Sequence, residues 1–296
     1  MKKDSIVLVP YYNKDIYNQI VYTFGKSKII YDNEDVSELA RIINKRYKKV
    51  YIVDLLFLSK SLLQLIKKDI VVKSILTFNL ASLTFPGLLY SFQEIMECYD
   101  RNLITEIGCL DKGMAKLLSK RGYNSRHVLL DNCETLSNKK GKYIGVVSKD
   151  LNPNHNFYNA LSAVKLSGHK NVKTEINMFE TKRFGEKFGL VIKNTQSFRK
   201  IMSDVLINIY PCFTNSLDIL GIISLDSGIP FIYGNTVLFD KCKPLKKYLV
   251  MKSEDDISEL ADKINNALKY ETEIMKLYHE FRLKYSTLVA ESNNGF

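Results

Sequence analysis

Asp204-Val205-Leu206-Ile207-Asn208-Ile209-Tyr210-Pro211-Cys212-Phe213-Thr214-Asn215-Ser216-Leu217, running on to Ser224-Leu225-Asp226-Ser227-Gly228-Ile229-Pro230-Phe231-Ile232, is the stretch whose pattern decides the fold. Val205 to Ile209 is an apolar, β-branched run of strand length. A polar loop follows, then a helix from Leu217 to Ser227 closed by Gly228, the residue best suited to the left-handed turn that ends a helix. Pro230 to Tyr233 begins the next strand. A strand that is apolar throughout is buried on both faces, and strand, helix, strand in that order is the parallel crossover unit.

The same alternation extends outward in both directions. Towards the start, the expected strands are Ser5 to Val9, Lys28 to Tyr31, Val50 to Leu56, Val71 to Thr77, Thr105 to Cys109 and Arg126 to Leu130. Helices are expected over Lys14 to Phe24, Val36 to Arg46, Ser59 to Lys67, Phe85 to Tyr99 and Lys112 to Lys120. After the polar stretch Asn132 to Lys142, which reads as a linker, Tyr143 to Val147 restarts the pattern. Strands at Lys173 to Asn177, Gly189 to Ile192 and Tyr248 to Met251, with helices at Phe157 to Leu166, Ser197 to Met202, Asp256 to Leu268 and Thr272 to Ala290, complete it. The expected division is 1–138, 139–271 and a closing helix in 272–296 that returns to the first domain. Asp35-Val36-Ser37-Glu38-Leu39-Ala40 is echoed by Asp256-Ile257-Ser258-Glu259-Leu260-Ala261. The echo fits either a duplicated plan or two helices sharing a capping box.

Composition excludes several classes. With 296 residues, 46% hydrophobic and 25% charged, the chain is globular and long enough for two cores. No apolar run reaches the roughly 18 to 20 residues of a membrane span, and the short basic-then-apolar start lacks a signal-peptide cleavage site, so a cytoplasmic protein is expected. Cys98, Cys109, Cys133, Cys212 and Cys242 are scattered without metal spacing and read as reduced, mostly buried thiols. No metal and no cofactor are expected. The net charge of +11 attracts polyanions, which leaves nucleic acid, the inner face of an anionic membrane, or phosphorylated small molecules. The lysines form no long block, which weighs against a dedicated nucleic-acid arm.

The polar loops after Gly145-Val146-Val147-Ser148 and after Ile209-Tyr210-Pro211 each sit at a strand's carboxyl end and a helix's start, where open α/β sheets bind ligands and where a phosphate finds free N–H groups. The series Lys149 with Asn152-Pro153-Asn154, then Ser203-Asp204-Val205-Leu206-Ile207 with Pro211, then Leu225-Asp226-Ser227-Gly228-Ile229-Pro230-Phe231-Ile232, then Asp255-Asp256-Ile257-Ser258-Glu259-Leu260-Ala261 resembles the donor domain of GT-B glycosyltransferases of the GT4-like kind, over about residues 143 to 270. The resemblance implies an α/β protein of two Rossmann-like domains facing a central cleft, the second binding a nucleotide diphosphate-sugar. It also implies a hexosyltransferase, metal-independent, whose acceptor is a glycan or lipid-linked sugar. A phage-type enzyme acting on DNA bases, and a non-catalytic GT-B module binding a partner transferase or a glycan, remain the alternatives.

By that resemblance Thr214, Asn215 and Ser216 contact the diphosphate, Lys149 approaches it from the other side, and Ile192 with Lys193 lie against the nucleobase. Lys182 and Arg183, in the expected loop Glu180-Thr181-Lys182-Arg183-Phe184, and His155 are further candidates for phosphate, and His127 for a base in the cleft. Each has a plainer reading: Asn215 and Ser216 as N-caps, the cations as solvated charges, His127 as a structural histidine. One departure is definite. The two glutamates of the family pattern fall on Asn215 and Ile223 here, and the glycine-rich loop after the first strand is replaced by Pro10-Tyr11-Tyr12-Asn13.

Overall fold

A computed structural model of the chain describes all residues except 1–2, 11–15, 26, 31–34, 55–56, 79–82, 84–85, 133, 137–140, 149–155, 177–178, 196–197 and 213–217. The chain forms two compact α/β units, Met1–Cys133 with Ser286–Phe296, and Glu134–Tyr285.

In unit 1 the order is β1 (Lys3–Pro10), α1 (Tyr17–Phe24), β2 (Ser27–Ile30), α2 (Val36–Arg46), β3 (Tyr47–Val53), α3 (Phe57–Leu65), β4 (Val71–Leu76), α4 (Pro86–Asp100), β5 (Glu106–Cys109), α5 (Lys112–Lys120) and β6 (Ser125–His127). Its sheet is β2-β1-β3-β4-β5-β6, with every pair parallel. Unit 2 contains β7 (Tyr143–Val146), α6 (Phe157–Leu166), β8 (Asn171–Thr174), α7 (Phe179–Phe188), β9 (Val191–Asn194), α8 (Phe198–Met202), β10 (Val205–Tyr210), α9 (Asp218–Asp226), β11 (Phe231–Tyr233), α10 (Lys243–Leu249) and α11 (Ile257–Lys269). Its sheet is β11-β10-β7-β8-β9, again parallel throughout. The last helix, α12 (Glu271–Asn293), starts in unit 2 and ends among the residues that belong to unit 1.

Local chemistry accounts for many of these boundaries. The Asp35 carboxylate accepts from the N–H groups of Ser37 and Glu38 at 2.9 and 3.1 Å and starts α2. Asp256 does the same for Glu259 at 2.9 Å and starts α11. The sequence echo therefore marks a shared start signal. The two helices hold different stations, α2 between two strands of its sheet and α11 after the last strand of the other. Two expectations need correction. Glu180 to Phe184, read as a loop, lies inside α7, where Thr181, Gly185 and Phe188 share one face at helical spacing. Tyr248 to Met251, read as a strand, is the end of α10 followed by a single bridge from Val250 to Tyr233. Pro244 in the first turn fits a helix start, since proline lacks only an N–H that would go unpaired there.

Alternation along the strands gives the unit 1 sheet two unlike faces. Ile6, Leu8, Val50, Ile52, Val72, Ile107 and Cys109 point into an apolar cluster shared with Leu39 and Ile43 of α2, Leu62 of α3, Ile95 of α4 and Met114 of α5. The opposite face carries Tyr51, Lys73, Glu106 and Gly108 beside the buried aliphatic residues Val7, Val9, Val53 and Ile75. In unit 2, Asn208 stands fully buried at the centre of β10. Its Nδ2 donates to Ser224 Oγ at 2.9 Å, and Ser224 donates onward to the Ile229 carbonyl at 2.9 Å. Gly145, its register partner on β7, leaves the space that the Asn208 carboxamide fills. Asp226 at the end of α9 accepts from Tyr278 Oη at 2.6 Å and from Arg282 Nε at 3.0 Å, which fixes α12 to this unit. Ser224→Ala leaves the Asn208 donor with only a 3.4 Å contact to the Met202 carbonyl. The expected cost is about 1–3 kcal/mol, the usual penalty for stranding a buried polar group, read as a lower urea midpoint. An unchanged midpoint contradicts the role given to this network.

Candidate functional site

In unit 2 the chain runs from β7 outward to β8 and β9 on one side, then crosses to β10 and β11 on the other. The reversal places the switch point between β7 and β10, and the ligand site of an open α/β sheet lies outside the carboxyl ends of the strands there. The described walls are close-packed. Val147 donates its N–H to the Ile209 carbonyl at 2.9 Å, and Ser148 is buried. Gly234, after β11, donates to the Tyr210 carbonyl at 2.8 Å, and a β-carbon on it would lie 2.5 Å from the Cys212 carbonyl oxygen. Only glycine permits that approach.

Asn156 occupies the N-cap position of α6 with φ of 50°, in the left-handed region. Its side chain donates to the Glu254 carbonyl and gives no hydrogen bond to the first-turn amides of the helix. α6 has no acidic residue in that turn either. Its positive end is therefore not neutralised by its own cap. On the β10 side, α9 begins at Asp218, whose carbonyl accepts from Tyr233 Oη at 2.8 Å and whose carboxylate accepts from Thr236 Oγ1.

Of the residues singled out from sequence, Lys149, His155, Thr214, Asn215 and Ser216 lie outside the described residues, in segments 149–155 and 213–217. Those two segments directly follow β7 and β10. Ile192 and Lys193 sit on β9, the edge strand, two positions across from β7. Ile192 packs beneath Gly185 of α7, and Lys193 Nζ lies 5.5 Å from the centre of the Tyr143 ring on β7. Lys182 and Arg183 are exposed on α7. Ile223 is 2% exposed inside α9, so at the position of the family's second glutamate the chain offers an aliphatic surface facing its core.

His127 belongs to unit 1, where it ends β6. Burial pushes its imidazole below the ordinary value and the nearby Lys112 charge adds to this, while a hydrogen bond to the Leu110 backbone opposes them. Its Nε2 is buried and makes no hydrogen bond among the described residues. That describes a neutral imidazole held by its other nitrogen. Cys98, Cys109 and Cys212 are buried, Cys242 is half-buried, and Cys133 is outside the described residues. Burial pushes the Cys98 thiol up to about 11, which leaves it a poor nucleophile at neutral pH. Among the described residues no group of His, Cys, Asp and Glu is arranged to hold a metal ion, and no helix is long and apolar enough to cross a membrane.

No family model matches the sequence, and no curated protein does. Solved structures do match. Sucrose-phosphate synthase from Thermosynechococcus elongatus superposes with a TM-score of 0.66 at 9% identity, covering 97% of this chain and 95% of its own. TarM gives 0.61 at 13% identity over 83% of this chain. This chain spans only 53% of the length of TarM. An S. aureus TarM variant solved with Fondaparinux, alpha-GlcNAc-glycerol and UDP gives 0.60 at 12% identity, covering 86% and 58% of the two chains. UDP-GlcNAc 2-epimerase from Neisseria meningitidis, bound to UDP-GlcNAc, gives 0.54 at 9% identity, covering 94% of each chain. At such identities the likeness establishes the fold, two Rossmann-like α/β units of the GT-B kind.

The state of His127 has a consequence for pH. A histidine kept neutral by the fold binds its proton more weakly there than in the unfolded chain, so its contribution is intact above the unfolded value of about 6.5 and lost as pH falls through it. Chemical unfolding from neutral pH to about pH 5 is expected to show a steeper loss of stability in the wild type than in His127→Asn. Parallel pH profiles for the two chains refute the assignment.

Proposed function

We propose that this chain is a glycosyltransferase that binds a uridine diphosphate-sugar at the carboxyl edge of unit 2 and transfers the sugar to a hydroxyl of a glycan or lipid-linked acceptor. The observation that carries the reading is the coincidence of two things at the β7/β10 switch point. Both strands there lead into the polar segments that resemble the GT4-like donor loops, 149–155 and 213–217, and the adjoining α6 has an uncapped positive end. UDP is favoured because TarM and the 2-epimerase were both solved with uridine nucleotides.

In this reading the bond between the anomeric carbon and the diphosphate oxygen breaks, a new bond forms to the acceptor oxygen, and the acceptor's proton is released. UDP departs carrying the negative charge. Lys149 and the hydroxyl and amide groups of Thr214, Asn215 and Ser216 stabilise that charge without a metal ion, and the first-turn amides of α6 add their partial charge. Lys182, Arg183 and His155 are auxiliary cations for the same phosphates, and Ile192 and Lys193 line the base. The excess of +11 suits an anionic donor and docking at an anionic membrane surface or on DNA alike.

One observation favours a second reading, a GT-B module that binds without catalysing transfer. Ile223 has no group able to hold ribose hydroxyls, and its burial leaves no room to add one.

Thermal shift and calorimetry against UDP, GDP, CDP, ADP and their sugars separate these readings. Stabilisation by UDP is expected, reduced in Asn215→Ala and Lys149→Ala, with Lys149→Ala also lowering kcat by about a hundredfold, the usual cost of one electrostatic group at a leaving charge. Stabilisation without turnover of any UDP-sugar selects the non-catalytic module. Turnover that yields an epimerised sugar selects the epimerase chemistry of the third fold neighbour. A folded chain that no nucleotide stabilises refutes the donor site.

A further inference from the structure

The excess positive charge is spread along the sequence, but the fold gathers much of it in one part of unit 2. Between positions 157 and 203, the span of α6, β8, α7, β9 and α8, nine Lys and Arg stand against three Glu, a net +6 of the chain's +11. In a parallel sheet the helices run back against the strands, so helix ends and strand starts lie together at the amino edge. That edge is the one away from the candidate donor loops. At its β8–β9 end the last residues of α6 and α7 lie beside the start of β9.

The side chains displayed there are of two kinds. Leu166, the last residue of α6, is 60% exposed, Phe188, the last of α7, is 37% exposed, and Val191, the first of β9, is 59% exposed. Lys165 and Lys187, in the last turns of the same two helices, and Lys170, just before β8, are exposed beside them. The pieces adjoin. Lys165 Nζ lies 3.4 Å from where a β-carbon on Gly189 would sit, and the Val191 N–H donates to the Lys170 carbonyl at 2.8 Å. The Phe188 ring is stacked on Phe184 with centres 4.2 Å apart, which limits its freedom. A lysine in the last turn of a helix is accounted for by the helix dipole, so Lys165 and Lys187 alone carry no message. The dipole gives no reason for Leu166 and Phe188 to end those helices in water, nor for Lys170, which is in no helix. Apolar side chains grouped on a surface and rimmed by charge mark an interaction site.

We infer that this amino edge of unit 2 docks on an anionic lipid bilayer, with Leu166, Phe188 and Val191 entering the headgroup region and Lys165, Lys170 and Lys187 set over the anionic headgroups. Charge complementarity selects that occupant: a negative leaflet attracts the ammonium groups, and the neighbouring apolar side chains gain by leaving water at the acyl boundary. A nucleic acid would pair with the cations but leave Leu166 and Val191 in water, since aliphatic side chains neither reach phosphates nor stack on bases. The inference gives a place to one of the dockings that the net charge allows. It does not rest on the transfer reaction, because it concerns the edge away from the donor loops.

The test is cosedimentation of the full chain with vesicles of phosphatidylglycerol mixed with phosphatidylcholine, and of phosphatidylcholine alone. Binding to the mixed vesicles only is expected, weakening as salt rises. Lys165→Gln, Lys170→Gln and Lys187→Gln together should lower the partition coefficient at least about tenfold, given the usual gain per lysine at such a surface. Lys45→Gln, Lys68→Gln and Lys116→Gln, the same charge change at exposed positions of unit 1, should leave it within about twofold. Leu166→Ser with Val191→Ser should lower it at least about fivefold at unchanged net charge. All these side chains are exposed, so each variant is expected to melt cooperatively near the wild type; a variant that does not shows its residues to be core and overturns the inference. Equal losses in the two lysine triples overturn it too, because net charge and not this edge is then being read. So do a wild type that ignores the mixed vesicles and binding insensitive to the apolar pair. Duplex DNA that displaces the vesicles and binds the apolar variant as well as the wild type reassigns the edge to nucleic acid. A wild-type dimer that the apolar variant dissolves reassigns it to a second copy of the chain.

Discussion

Because every strand pair in both sheets runs parallel, each strand must be followed by a crossover, and the crossovers must cover the sheet. Two consequences follow for this chain. All loops that lead from strand to helix emerge at the carboxyl edge, so anything that binds there meets helix starts and free main-chain N–H groups. And each sheet must find apolar partners for its two faces. In unit 2 the first consequence locates the candidate site: the order β11-β10-β7-β8-β9 reverses at β7, and the two polar loops flank that reversal. The tight contact of Gly145 with Asn208 holds β7 close to β10, and that of Gly234 with Cys212 holds the end of β11 close to the end of β10.

In unit 1 the second consequence is met unevenly. One face is an ordinary aliphatic interior. The other combines the buried Val7, Val9, Val53 and Ile75 with the Glu106 carboxylate, which brings Lys73 and Arg126 to fixed positions by pairing with both. Held between the two cations, that carboxylate sets their direction. Lys73 then has donors to spare, and they meet the carbonyl of Gly295. The glycine at 108 and the aromatic residues at 24 and 51 complete a recess for Phe296. The ion pairs thus join β4, β5 and β6 and also hold the segment that follows α12 on this face.

How far this was legible in the sequence depended on the range of the interactions. Strands such as Val205–Tyr210 and Val50–Val53 declare themselves because burial on both faces demands uninterrupted apolar residues. α2 and α11 declare themselves because Asp35 and Asp256 cap them through bonds spanning two or three residues. α7 was missed because its buried face is made of Thr181 and Gly185, small residues without a strong apolar period. α10 was missed because its end runs straight into a bridge-forming residue, Val250. The role of segment 293–296 is set by partners some 170 to 250 positions away in the chain, which no local pattern records. A signal was nevertheless present: Lys73 in the middle of the apolar run Val71 to Leu76, and Glu106 beside Ile107, are charges where a parallel strand has no reason to place them. At the candidate donor site the apolar runs of β7 and β10 were legible, while the polar segments 149–155 and 213–217 that come after them lie outside the described residues. His127 was legible as a residue worth noting, but its neutrality depends on burial and on the Leu110 backbone, both products of tertiary packing.

The fold neighbours carry the same lesson into function. A sucrose-phosphate synthase, TarM and a 2-epimerase share this build at 9 to 13% identity, so the arrangement of sheets is compatible with more than one reaction. What the build supplies is a set of helix starts at the carboxyl edge of a parallel sheet, a setting that suits a phosphate group in more than one reaction. What distinguishes the reactions must reside in the few side chains that touch the sugar and its nucleoside. Here Ile223 is informative. In a helix whose neighbours Ile219, Leu220, Ile222 and Leu225 are all buried, it completes an aliphatic interior. A carboxylate at that place would face the same apolar surroundings. The buried face of α9 is thus aliphatic along its length, and under the proposed reading the ribose contacts belong to the loops of unit 2 and not to α9.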